Sequence, residues 1–238
     1  MIRRLFLITL LLVSIPATSQ TADDILEKYI EGKKVEQQFQ ADINYALYKG
    51  VEGTKAYESF QGVLAKNNGT QYQKLGSMEL VQGENFVVKL NSEEKAMLVG
   101  YSSKPIFNNI GQLDNEQLLK VFDEKNLIDN GDTWILTLTS KVSQLSQFTK
   151  IEIHIRKSDL QPQKQVFLYN TVSDFSAYNK KETVPNYDNP RLEIVYKNYQ
   201  SKITLSENLF KMNRYFEHSN NQIIAAKEFK GFEILHAN

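Results

Sequence analysis

The chain has 238 residues and no cysteine, and its 28 basic side chains balance its 28 acidic ones. Without cysteine the protein can form no disulfide and, if it is exported, can carry no lipidated N-terminal cysteine. The balanced charge provides no basic excess for binding phosphates, so no nucleic-acid partner is predicted. The length is sufficient for one domain with a sizeable core.

The first 19 residues have the parts of a secretory signal in the required order. Arg3 and Arg4 form a basic start, an apolar run extends from Leu5 to Ile15, and small residues follow at 17–19. We predict cleavage near Ser19 and export to the periplasm. The apolar run is shorter than the roughly 20 residues that span a bilayer, and no second run of that length follows, so no permanent membrane anchor is expected.

A helix is predicted from Thr21 to about Lys34, and the period of the sequence then changes. Thr21 and Asp24 have the spacing of a capping box, and the helix carries an apolar stripe of Ile25, Leu26, Tyr29 and Ile30. Alternation of apolar and polar residues next predicts six strands, at Phe39–Leu47, Ala56–Lys66, Gln71–Leu75, Ser77–Val81, Phe86–Leu90 and Ala96–Tyr101. Because the connections are short, these strands should form an antiparallel meander.

A second helix is predicted from Asp114 to about Lys125. Asp114 or Asn115 can cap it, and its apolar side consists of Leu118, Leu119, Val121 and Phe122. The acidic and amide side chains at 129–132 that follow do not have the spacing of a calcium-binding loop, and a hairpin turn explains them better. No metal site is predicted.

Three further strands are predicted at Trp134–Lys141, Phe148–Arg156 and Gln165–Tyr169. In the second of them three isoleucines alternate with charged residues, which predicts one buried and one solvated face. The long polar segment 173–190 precedes a last strand at Arg191–Tyr199, and loops of that length are usually functional or disordered. Residues 213–238 offer short apolar segments and are predicted to pack as an extension on the same domain.

Sequence signatures of catalysis are absent. The chain contains no HExxH, no GxSxG and no phosphate-binding glycine loop. His154 lies on the charged side of a predicted strand, where a solvated histidine is favoured over a catalytic base, and His218 and His236 lie in or near the C-terminal extension. No catalytic residue and no cofactor is predicted, and a hydrolase with an unrecognised site is the least favoured class.

Apolar and aromatic surface remains as the candidate for function. We predict that ten inward-facing side chains line a ligand cavity: Phe39, Ile43, Tyr45, Met78, Leu80, Leu98, Trp134, Leu136, Ile151 and Ile153. Leu118, Leu119 and Phe122 of the second helix would form its lid. Two interpretations stay open, namely an ordinary core filled by the helices and an open cavity for an acyl chain.

The order of these elements resembles the LolA/LolB-type periplasmic carriers of outer-membrane lipoproteins. The resemblance covers about Gln20 to Phe210, and it is carried by the first helix, Phe39–Tyr45, the strand that contains Gly62, the meander and second helix, Trp134–Leu138, Phe148–Ile153 and the closing Leu209–Phe210. It implies an α+β fold in which one curved antiparallel sheet forms an incomplete barrel. In that family the helices cover the concave face, which receives acyl chains.

The chain departs from the family pattern in three places. The family carries an arginine–proline pair after the glycine strand, and this arginine helps to hold the lid shut, whereas Leu64–Gly69 contains neither residue. The family's Leu-Thr-Pro becomes Leu-Thr-Ser at 138–140, and residues 215–238 have no counterpart.

These observations predict a signal peptide at 1–19, a half-barrel domain at 20–212 and a C-terminal extension at 213–238. The predicted function is that of an exported, monomeric, non-enzymatic carrier or binder of an acylated ligand, with a lipoprotein as one candidate cargo. The alternative is a cell-envelope assembly or scaffolding factor with a self-filled core, which would act on a protein partner through its rim loops and its C-terminal extension.

Overall fold

The computed structural model describes residues 20–101, 121–141, 146–178, 184–219 and 222–236. The predicted signal peptide and the predicted lid residues Leu118 and Leu119 lie outside the described residues. Within these ranges, no helix is long and apolar enough to cross a membrane.

Helix α1 (Ala22–Val35) begins where the sequence predicts. The backbone N–H of Asp24 donates to Thr21 Oγ1 at 3.2 Å, and the N–H of Thr21 donates to Asp24 Oδ2 at 2.9 Å. These two bonds complete a capping box. The four residues of the predicted apolar stripe are buried, so packing along one side holds the helix in place.

The described strands are β1 (Gln38–Lys49), β2 (Ala56–Asn67), β3 (Thr70–Leu75), β4 (Met78–Gln82), β5 (Val87–Asn91), β6 (Ala96–Gly100), β7 (Glu124–Asn130), β8 (Thr133–Thr139), β9 (Phe148–Arg156), β10 (Pro162–Tyr169), β11 (Ser173–Asp174), β12 (Tyr187–Asp188), β13 (Pro190–Gln200), β14 (Phe216–Ser219), β15 (Gln222–Ala225) and β16 (Glu233–His236). Short 3₁₀ helices occur at Phe175–Tyr178, Glu207–Phe210, Met212–Arg214 and Lys227–Phe229.

Twelve of these strands form one sheet in the order β16-β6-β5-β4-β3-β2-β1-β13-β10-β9-β8-β7. The sheet is open and curved, and its strand pairs are antiparallel apart from β6 and β16. The predicted large antiparallel sheet is therefore confirmed. Two small sheets, β11-β12 and β14-β15, lie outside it.

The sheet is wider than the predicted ten strands because β7 and β16 join its edges. The predicted second helix extended to Lys125, but Glu124 and Lys125 already belong to β7 and pair with β8. The apolar helical stripe ends at Phe122, so nothing in the sequence supports a helix beyond it. Strand β16 pairs in parallel with β6, a connection that the predicted extension did not specify.

The pairing register assigns each strand residue to one of two faces, because directly paired residues point the same way. We call the face against which α1 packs the helix face, and the other the opposite face. On the helix face, the stripe of α1 packs with large side chains from β1, β8, β9, β10 and β13 in one cluster. Ile43, Leu136, Ile153 and Phe167 are among its buried members.

A second core lies on the opposite face of β2 to β6. There Tyr215, Phe216 and Phe229 from the C-terminal extension pack on an apolar layer of Ala65, Tyr72, Val81, Val88, Leu90, Met97 and Val99. The guanidinium of Arg214 lies 3.2 Å from the carboxylate of Glu79, and both side chains are largely buried. The two halves of the sheet are thus buried on opposite faces, and β2 and β3 contribute to both cores.

Gly62 lies on β2 where a side chain would meet the backbone of β3. It pairs with Ile43 of β1 and with Leu75 of β3. A Cβ at this position would lie 1.7 Å from the carbonyl oxygen of Lys74, a backbone atom that cannot turn aside. The position therefore requires glycine.

Replacing Gly62 with alanine should lower the free energy of unfolding by about 1–3 kcal/mol, the usual cost of inserting a carbon into a packed region. Thermal or urea unfolding measures it. Gly32→Ala in α1 is the matched control, because a Cβ there would meet nothing within 4 Å. The control should be neutral or stabilising by up to about 1 kcal/mol. Equal effects of the two substitutions would contradict the close approach.

The opposite face of β9, β10 and β13 carries a row of charges. Glu152 lies 2.6 Å from Lys150 and 4.0 Å from His154, and Glu193 lies 2.7 Å from Lys164. The neighbouring imidazole of His154, followed by the ammonium of Lys150, lowers the pKa of Glu152 from 4.5 to about 2. Because the folded pKa lies below the ordinary one, ionised Glu152 contributes stability above about pH 4.5, and this contribution is lost as the pH falls toward 2.

Replacing Glu152 with glutamine should lower the free energy of unfolding near pH 7 by about 1 kcal/mol, the scale of a partly exposed ion pair. The difference from the wild type should shrink between pH 4.5 and 2, where the wild-type carboxylate also becomes neutral. Unfolding curves over this pH range test both statements. Glu217→Gln is the control: Glu217 is exposed, so its replacement should alter neither the stability near pH 7 nor its pH dependence. If the stability difference between Glu152→Gln and the wild type stayed constant with pH, the coupling of stability to ionisation of Glu152 would be contradicted.

Candidate functional site

The ten residues predicted to line a cavity all belong to the helix face. Direct pairs such as Ile43 with Tyr196, Leu136 with Ile153 and Leu98 with Lys89 carry this face without a break from β8 across to β6. Their role in binding remains a prediction, but their common orientation follows from the register. The face is not equally covered along its width.

Seven of the ten residues are occupied by core packing. Phe39, Ile43, Leu136, Ile151 and Ile153 are buried in the cluster that contains the stripe of α1, and Tyr45 and Trp134 pack against it. This part of the face is filled by the protein's own helix. It corresponds to the ordinary-core interpretation of the sequence.

Three of the ten residues, Met78, Leu80 and Leu98, belong to neither core cluster. Met78 and Leu80 lie on β4 and Leu98 on β6, all on the helix face with β5 between them, and each is half-buried. We call them the apolar strip. At its border the rings of Tyr45 and Phe60 lie 6.0 Å apart, and Phe60 is 43% exposed. Val87 of β5, which is buried, and Leu235 of β16, which is exposed beside Leu98, lie on the same face and also belong to neither core cluster.

Two buried polar atoms lie on the same face beside the strip. Within the described chain, Gln73 Nε2 and Gln82 Oε1 are the buried side-chain atoms without a hydrogen-bond partner. Gln73 pairs with Leu80, and Gln82 lies two residues further along β4. Sequence reasoning missed both, because a glutamine at an inward position is informative only once the strand register is known.

The predicted lid is only partly within the described residues. Phe122 is 3% exposed and belongs to the core cluster that contains α1. It therefore packs as a core residue in this structure. An aspartate at Phe122 would bury an unpaired charge and would disturb folding as well as any lid function.

A polar network fastens the C-terminal end of α1 to the helix face. Lys33 Nζ donates to Glu36 Oε2 at 3.0 Å, to Tyr199 OH at 2.8 Å and to Gln161 Oε1. The ammonium also lies 4.6 Å from the ring centre of Tyr199 and 5.5 Å from that of Phe39. Burial lowers the pKa of Lys33, and the carboxylate of Glu36 opposes this effect.

The carboxylate of Glu36 completes the network. Tyr199 OH donates to its Oε2 at 2.8 Å, and Gln161 Nε2 donates to its Oε1 at 3.3 Å. Tyr199 and Gln161 belong to β13 and to the turn before β10, so the network ties α1 to two distant parts of the chain. The sequence offered no signal for the long-range part of this arrangement, since Gln161 and Tyr199 are more than a hundred residues from Lys33.

Replacing Lys33 with methionine should lower the free energy of unfolding by roughly 2 kcal/mol, because the half-buried carboxylate of Glu36 loses its cation. Lys34→Met is the control, since Lys34 is exposed one residue away and its replacement should be nearly neutral. Adding Glu36→Gln to Lys33→Met should recover part of the loss. Chemical unfolding of the four proteins gives the comparison, and equal effects of the two lysine substitutions would refute the network's role.

Other candidate groups are not assembled into a reactive site. Among the described residues no three His, Asp or Glu side chains could hold a metal ion. His218 Nε2 lies 2.6 Å from Tyr101 OH at an exposed position. A cavity of about 460 Å³ at the β7–β8 edge is lined by six polar residues, Asp123, Glu124, Lys125, Asn126, Thr137 and Thr139. Such a lining does not suit an acyl chain.

No family model matches the sequence, and no curated protein is similar enough to match it. Among solved structures, the chain is similar to an uncharacterized conserved protein from Thermus thermophilus, with 14% identity and a TM-score of 0.48 over 92% of this chain and 100% of that one. It is similar to the LolA superfamily protein NE2245 from Nitrosomonas europaea, with 14% identity and a TM-score of 0.37 over 82% and 99% of the two chains. A DUF1329 family protein from Desulfovibrio piger has 11% identity and a TM-score of 0.39 over 82% and 98%.

These comparisons concern the fold alone. The solved structures to which the chain is similar thus include a LolA superfamily protein, the family that the element order resembles. Identities of 11–14% and TM-scores below 0.5 do not carry a ligand or an activity over to this chain.

Proposed function

We propose that the protein is an exported, non-enzymatic carrier or binder of an acylated or similarly hydrophobic ligand, which it holds on the apolar strip. The observation that supports this proposal is the position of Met78, Leu80 and Leu98 on the helix face, outside both cores that the described residues form. Large apolar side chains that a protein leaves outside its own core commonly mark a binding surface. The periplasm as its compartment rests on the predicted signal peptide.

The strip has the dimensions and chemistry that an acyl chain requires. Leu80 of β4 and Leu98 of β6 are separated by Lys89 of β5, so the strip spans two strand spacings or about 10 Å. Full burial of each large apolar side chain contributes about 1.5–3 kcal/mol, so completing the burial of three half-exposed ones supports modest affinity. A carrier needs such affinity, because it must also release its ligand.

A second candidate function is that of an assembly or scaffolding factor of the cell envelope. It is favoured by the seven predicted cavity residues that α1 covers and by the second core that the C-terminal extension forms. In that case a protein partner would recognise the rim loops and the extension, and no lipid would be bound.

Native mass spectrometry of the protein purified from its compartment separates these two functions. Under the carrier proposal, a lipid mass co-purifies with the chain, and a fluorescent fatty acid binds to the delipidated protein. Under the scaffolding alternative, the wild type carries no lipid and binds no probe.

Aspartate at Leu80 or Leu98 should reduce binding of the fluorescent fatty acid by ten-fold or more, since a charge would face the apolar chain. Ile135→Asp is the matched control, because Ile135 is half-buried on the opposite face, where it pairs with His154. Circular dichroism checks that all three variants keep the sheet. If only Ile135→Asp lost binding, or if all folded variants still bound the probe, the ligand would bind elsewhere.

A further inference from the structure

Gln73 and Gln82 each have a buried polar atom without a hydrogen-bond partner among the described residues, which lowers the stability of the fold. Gln73 is 5% exposed and its Nε2 has no partner, and Oε1 of Gln82 is also buried and unpaired within the described chain. Buried polar atoms in proteins are paired in the great majority of cases, and an unpaired one destabilises the fold. An amide nitrogen and an amide oxygen that both lack partners at one place would be satisfied by a ligand that accepts one hydrogen bond and donates another.

The two glutamines are close enough to act on one group. Leu80 is the direct partner of Gln73, and Gln82 is two residues further on the same strand and face. Such diagonal positions are about 7–8 Å apart between Cα atoms, within the combined reach of two glutamine side chains. The apolar strip begins at Leu80, directly beside them.

We infer that the ligand of this site is an amphiphile whose acyl chain is joined to its head by an amide group. This inference rests on the proposed function and names the chemistry of its ligand. The amide carbonyl accepts a hydrogen bond from Gln73 Nε2, and the amide N–H donates to Gln82 Oε1. The acyl chain extends from there over Leu80 and Leu98.

Other head groups satisfy only part of this arrangement. An ester accepts a hydrogen bond from Gln73 but has no proton for Gln82. A carboxylate likewise only accepts, and it would place negative charge against the oxygen of Gln82. Lys89 lies on the same face and is exposed, and its charge favours a carboxylate, so a fatty acid is the necessary competitor in the test.

The experiment measures displacement of a fluorescent fatty acid from the full chain by three amphiphiles with the same acyl chain: N-lauroylethanolamine, methyl laurate and lauric acid. The amide should bind about ten-fold more tightly than the ester, the ratio expected when one buried hydrogen bond is made instead of missed. The amide should also bind more tightly than the acid.

Single substitutions assign each hydrogen bond. Gln82→Met should weaken the amide about ten-fold and leave the ester unchanged, because only the amide donates to Gln82. Gln73→Met should weaken the amide and the ester alike, because both carbonyls accept from Gln73. Gln61→Met, an exposed glutamine on the opposite face of β2, should change neither.

A readout without ligand distinguishes binding from structural roles. Each of Gln73→Met and Gln82→Met should raise the melting temperature of the ligand-free protein by a few degrees, since an unpaired buried polar group is replaced by an apolar one. A lower melting temperature with unchanged ligand preference would overturn the inference. Equal affinity for all three amphiphiles would overturn it and leave the carrier function standing, whereas failure of the fatty acid probe to bind at all would overturn both.

Discussion

The width of the sheet is the constraint on which the rest of the structure depends. Twelve strands at a spacing of about 4.8 Å make a sheet roughly 50 Å wide. Helix α1 has 14 residues, so it is about 21 Å long, and with its side chains it is about 10 Å across. It cannot cover more than part of one face. The C-terminal extension and the apolar strip both lie on parts of the sheet that α1 does not cover.

The C-terminal extension covers part of the other side of the sheet. It buries the opposite face of β2 to β6 with three aromatic rings and continues the sheet through β16. The side of burial therefore changes near β2 and β3, whose residues Leu64, Ala65, Tyr72 and Leu75 are buried on alternate faces. Strands buried on both sides have little room, which agrees with the need for glycine at 62.

The candidate site follows from the same geometry. The network of Lys33, Glu36 and Tyr199 holds the end of α1 near β13 and β1, away from β4 and β6. The helix face beyond this end carries the apolar strip, and beside it are the unpaired amide atoms of Gln73 and Gln82. A surface that is apolar, half-buried and supplied with two unpaired polar atoms resembles a binding site more than an unfinished core.

The sequence by itself determined the properties that depend on neighbouring residues. The capping box of Thr21 and Asp24 and the alternation of Ile151 and Ile153 with charged residues follow from local backbone geometry, and the structure contains them. The departure at β7 arose because helix and strand preferences are both weak at 123–126 and pairing with β8 decided between them.

Only the tertiary structure decided which inward residues of the described chain join the core beneath α1 and which remain half-buried outside it. Met78, Leu80 and Leu98 have the same apolar pattern as Ile43, Leu136 and Ile153, and what distinguishes them is whether α1 lies above them. The partners of Lys33, the parallel pairing of β16 and the unpaired atoms of the glutamines likewise depend on segments far apart in the chain. Alternation in the sequence indicates on which face of its own strand a side chain lies, but whether that side chain is covered depends on where a helix distant in the chain packs.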